Sequence, residues 1–119
     1  MMTNESFLSS LEGLQKRIKN IRHDDGYIIH QVAVIGRSAI DHLNKLETDD
    51  PFDMELIKDT IADLSEIDAI EKSYYADDQY LEFVHKRSAR GNMTIFMKAI
   101  NCVEGALDVF FHKLNNKNT

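Results

Sequence analysis

Apolar residues recur three and four positions apart through most of this chain, a spacing that suits helices and little else. Phe7, Leu11, Leu14, Ile18 and Ile21 trace one such stripe. Ile28, Val32, Ile35, Ala39, Leu43 and Leu46 trace a second, broadened by Ile29, Gly36 and Ile40. Leu56, Ile57, Thr60, Ile61, Leu64 and Ile67 form a third, and Phe96, Ile100, Val103, Leu107, Phe110 and Leu114 a fourth. One proline and five glycines among 119 residues leave little turn material, which argues against many short strands. The spacing predicts helices over 4–22, 26–46, 51–74, 78–90 and 92–114. With short connections these form an all-α, up-and-down antiparallel bundle of four to five helices, one domain spanning 1–119. The polar tail 115–119 is expected to fray.

Local signals set the boundaries. Thr3 or Asn4 can cap the first helix, and Asp24 or Asp25 the second. Asp50-Pro51, with Asp53 in the first turn, is the clearest start in the chain, because proline fits the first helical position and needs no hydrogen bond there. The second helix has the widest apolar face, which implies contact with at least two neighbours. Its small residues Ala33, Gly36 and Ala39 would let another helix come close. Each large side chain buried on it contributes roughly 1.5–3 kcal/mol before entropy. Past residue 66 the third pattern slips: a straight helix would turn Asp68 and Glu71 inward and Ile70 outward. Ser65 and Asp68 are spaced as a capping box, so a break that returns both acids to solvent is expected there. Gly91-Asn92 marks a further break.

Charge is divided unevenly. Residues 47–82 hold 13 Asp/Glu against Lys58 and Lys72, a segment charge of −11; the remainder holds 7 acids against 12 Lys/Arg, or +5, and the sum is −6. Such a field steers charged partners, and it disfavours broad nucleic-acid binding, which depends on neutralising phosphates. On the third helix Glu55, Asp59, Asp63 and Glu66 fall together opposite the apolar stripe, with Asp77, Asp78 and Glu82 following. A solvated face that keeps a small protein soluble is the plain use of such a row. The same row can hold a basic surface of another macromolecule, with Tyr74, Tyr75 and Tyr80 as aromatic anchors. The expectation is therefore a non-catalytic inhibitor or regulator with an immunity, anti-defence or antitoxin-like role. Its partner is a protein with a basic surface, and a homodimer is the competing arrangement. A self-associating adaptor, its acidic and basic stretches paired between subunits, is a separate possibility.

Other constellations are thinner. Glu82-x-x-His85 has the spacing of ferritin-like metal bundles, with Asp78 one turn earlier, yet a di-iron site needs that element twice. Asp108 and His112 share a polar face. No metal or other cofactor is expected. The basic run His85-Lys86-Arg87-Ser88-Ala89-Arg90 could meet phosphates, or could pair with the acidic third helix. Cys102, the one cysteine, is expected to be a buried structural thiol and suits a reducing compartment. The start of the chain lacks a basic region followed by an apolar run, and no stretch approaches a membrane span, so a cytoplasmic protein is expected.

Arg37-Ser-Ala-Ile-Asp-His42 has the Arg-x4–6-His spacing of HEPN-type ribonucleases, small helical bundles of toxin–antitoxin and defence systems, and resembles them over these six residues. The resemblance implies Arg37 and His42 as a catalytic pair completed across a dimer. The sequence departs from the family in placing Ser38 directly after the arginine and the motif in the second helix. The plain account pairs an exposed Arg37 with Asp41 one turn on.

Overall fold

A computed structural model of the chain describes residues 5–21, 28–75 and 90–117, with side chains placed for 5–21, 29–72 and 97–116. Among the described residues the fold is all-α: α1 (Glu5–Lys19), α2 (Ile28–Asn44), α3 (Pro51–Tyr75) and α4 (Arg90–Lys117). No helix among them is long and apolar enough to cross a membrane. The helix expected over 78–90 lies outside the described residues, except that Arg90 opens α4.

The four stripes meet in one core. Leu11, Leu14 and Ile18 come from α1, and Val32, Ala33, Ile35, Ala39 and Leu43 from α2. Leu56, Leu64 and Ile67 of α3 close on them from one side, and Ala99, Val103, Leu107 and Phe110 of α4 from another. The helix with the widest apolar face, α2, packs against all three others, while α3 and α4 lie against each other and α1 against α4. Small residues on α2 make this arrangement possible. A Cβ on Gly36 would stand 3.1 Å from a methyl of Ile67 and 3.1 Å from a methyl of Val103, so α2, α3 and α4 converge at that point. His30 meets Glu71, and Gly36 lies at Ile67, so α2 and α3 run in opposite directions.

Helix ends follow hydrogen-bonding demand. Past α1, the Asn20 and Ile21 amides donate to Arg17 and Ile18 carbonyls; past α2, those of Lys45 and Leu46 donate to His42 and Leu43. These tighter final turns satisfy carbonyls that a straight helix would leave open. Leu46 stays buried although the helix has ended. The start of α3 is locked three ways. The Asp50 carboxylate accepts the Phe52 amide at 2.9 Å, the Thr48 hydroxyl accepts the Asp50 amide at 3.1 Å, and the same hydroxyl donates to Asp53 at 3.3 Å. Asp53 is fully buried at this first turn, where the helix dipole favours an anion. Asp50→Ala is expected to cost about 1 kcal/mol in urea unfolding, because the Phe52 amide loses its acceptor.

Three expectations are corrected. First, α3 does not break near Ser65–Asp68. Ser65 donates its hydroxyl to the Ile61 carbonyl one turn back, at 2.7 Å, and so serves as no cap. Ile70 packs against the core rather than facing out. Second, α4 runs through Gly91-Asn92, since one glycine costs about 1 kcal/mol and the long stripe beyond it outweighs that. Third, the tail is helical to Lys117, with Asn116 and His112 side chains 3.0 Å apart.

Candidate functional site

Because α3 is unbroken, its inner and outer faces stay separate over the whole length. The buried line runs Asp53, Leu56, Thr60, Leu64 and Ile67. On the outer side Glu55, Asp59, Asp63 and Glu66 are all exposed. Their spacing of four, four and three residues places successive carboxylates about 4.5–6 Å apart along the axis. None of the four makes an ion pair among the described residues.

A second acidic group sits where the inner line continues. Glu71 keeps only 15% of its side chain exposed, and both of its carboxylate oxygens are used: one accepts from the Arg37 guanidinium, the other from His30 Nδ1 at 3.2 Å. Arg37 Nε also donates to Asp68 at 3.1 Å. The hydrogen bond to Glu71, aided by the charges of Glu71 and Asp68, raises the Arg37 pKa above its ordinary value. The continuous helix thus brings the two acids to partners on α2, and Arg37 is held by α3 rather than by Asp41.

His42 lies elsewhere. Its Nδ1 donates to the Ser38 carbonyl at 2.6 Å, and its ring meets Phe7 of α1 edge-on, with centroids 6.2 Å apart. Arg37 therefore turns toward α3 and His42 toward α1, and the structure does not bring the two together. Asp108 also has neighbours, accepting from Gln15 and pairing with Lys19 at 3.4 Å, both on α1. No group of three His, Cys, Asp or Glu that could hold a metal ion occurs among the described residues. Tyr74 and Tyr75 close α3, but their side chains lie outside the described set. Asp77, Asp78, Tyr80, Glu82 and the run 85–89 lie outside the described residues altogether.

Cys102 is half-buried rather than fully enclosed. Its thiol donates to the Asp63 carbonyl at 3.3 Å, tying α4 to the ridge helix. Burial first, then the charges of Glu66 and Asp63, push its pKa up to about 11. The thiol is accordingly expected to react with iodoacetamide roughly a hundredfold more slowly than a free cysteine near pH 8. Asp63→Asn with Glu66→Gln should narrow that gap in a timed alkylation assay. The same shift makes stability fall with pH. The neutral thiol favoured in the fold contributes fully below the unfolded pKa near 9, and that contribution is lost as pH rises toward 11.

Sequence spacing alone identified the ridge. It missed what borders the ridge on α4, namely Asn101, Cys102, Gly105, Ala106 and Val109, which share a recess with Asp63 and Glu66. No motif marks those residues; only the pairing of α3 with α4 makes them neighbours. Comparison with protein-family models, with curated proteins and with solved structures returned no match.

Proposed function

We propose that this protein is a non-catalytic binding protein whose α3 ridge engages a basic surface on a protein partner and occludes it. One observation carries this reading. Four carboxylates stand exposed in a row on an unbroken helix, and no cation of the described residues pairs with them, whereas Asp68, Glu71 and Asp108 all have partners. An unneutralised row projects its field outward, speeding encounter with cations, and the effect is screened within about 10 Å at ordinary ionic strength. A role as inhibitor, immunity protein or anti-defence factor belongs to this proposal by analogy with other small acidic bundles. No observation favours the Arg37–His42 ribonuclease or the self-associating adaptor over it.

The test is parallel affinity capture from source cells with the wild-type chain and an Asp59→Lys/Asp63→Lys variant. The expected result is a basic protein held by wild type and lost from the variant, with affinity falling as salt is added. Capture of the same proteins by both chains, indifferent to salt, would refute the reading.

A further inference from the structure

The ridge forms one wall of a trough. Toward the C-terminal half of α3, a recess of about 280 Å³ is lined by Asp63 and Glu66 on one side and by Asn101, Gly105 and Val109 on the other. Toward the start of α3, a second recess of about 240 Å³ is lined by Phe52, Glu55, Asp59 and Lys113. Both lie between α3 and α4: in the first, Asp63 and Glu66 face the small and apolar Gly105, Ala106 and Val109, and in the second, Glu55 and Asp59 share the α3 side with Phe52 and face Lys113. Val109 and Phe52 are each 47% exposed. A Cβ on Gly105 would touch nothing within 4 Å, so the floor of the first recess is bare. We infer that the occupant of this trough is a basic amphipathic helix of a partner protein, its Lys and Arg against Glu55, Asp59, Asp63 and Glu66 and its apolar stripe over Gly105 and Val109. The inference rests on the ridge reading above and specifies its partner.

Two features point to a helix. Cations repeated at i, i+4, i+8 and i+11 on a second helix fall in step with carboxylates at the same spacing, because both share one rise per residue. A helix also carries charged and apolar stripes side by side, matching a wall of carboxylates beside an apolar floor. An extended strand sends alternate residues to opposite faces, so with its cations on the wall its apolar residues would point away. Among the described residues the trough sets four acids against Lys113, a balance that disfavours an anionic occupant.

The experiment titrates the full chain with two synthetic peptides of identical composition. One carries Lys at i, i+4, i+8 and i+11 with Leu on the adjacent stripe; in the other the residues are shuffled so that no stripe forms. The patterned peptide is expected to bind at least about tenfold more tightly and to gain helicity on binding. Gly105→Phe, which fills the trough, should erase that preference, while Gly105→Ala should keep it. Val109→Ser gives the same readout should the phenylalanine variant misfold. Equal binding of both peptides, still weakened by Asp59→Lys/Asp63→Lys, would overturn the helical partner and leave the ridge reading intact. Binding indifferent to that charge reversal would overturn both. A dimer of the chain itself that Gly105→Phe dissociates would assign the trough to a second copy and overturn the proposal.

Discussion

Gly36→Leu is expected to lower the stability of this protein by about 3 kcal/mol or more, with a fall in Tm of roughly 10 °C or beyond. The reason is local. At 3.1 Å from methyls of both Ile67 and Val103, even a Cβ is tight, and a leucine adds three more carbons where three helices converge. Neither neighbour can swing aside, because both are fully buried on their own helices. Gly36→Ala separates this cause from helix propensity. Alanine recovers about 1 kcal/mol of propensity and asks each methyl to give only a few tenths of an ångström, so it should stay within about 1 kcal/mol of wild type. Thermal and urea unfolding of the two variants side by side checks the prediction; equal effects would mean that the helices are not in close contact at Gly36.

Arg37→Ala is expected to cost about 2 kcal/mol. It strands Glu71, a largely enclosed carboxylate that keeps His30 as its remaining partner. A buried charge that loses its counterion destabilises more than the pair itself stabilises, and the exposure of Arg37 places the cost below that of a fully buried pair. Position 71 continues the inner line through Leu64 and Ile67, so leucine suits it. Arg37→Leu/Glu71→Leu should therefore recover most of the loss from Arg37→Leu alone. A double-mutant cycle measures the coupling. Additive losses would show that the two side chains act independently.

These two positions also show where sequence reasoning sufficed and where it stopped. The three-and-four spacing identified the buried residues of α1, α2 and α4, because amphipathic helices on one core must turn their stripes the same way. Gly36 could be read as a point of close approach from its place among Ala33 and Ala39. The start of α3 was legible because Asp50, Pro51 and Asp53 act within one turn. The course of α3 past Ser65 was not legible. Its inner line ends in Glu71, an acid whose presence there makes sense only beside Arg37, thirty-four residues earlier in the chain and one helix away. Local pattern registers such a residue as an interruption, and tertiary pairing turns it into a continuation. The outer carboxylates could be read by the same spacing, and their lack of an ion pair among the described residues could not. Nor could the neighbours on α4, since the α3–α4 seam is a property of the packed bundle.

An α3 without a hinge also dictates who must adapt on association. From Glu55 to Glu66 is eleven residues, about 16 Å of axis with no freedom to stretch or curl. Thr48, Asp50 and Asp53 clamp one end of that rod, and Arg37 holds the other. Under the function proposed above the ridge acts as a yardstick, and the partner has to bring its own cations to these marks, bearing the ordering entropy itself. Specificity then resides in distance, and lengthening α3 by a single residue between Asp59 and Asp63 would rotate half the marks out of line.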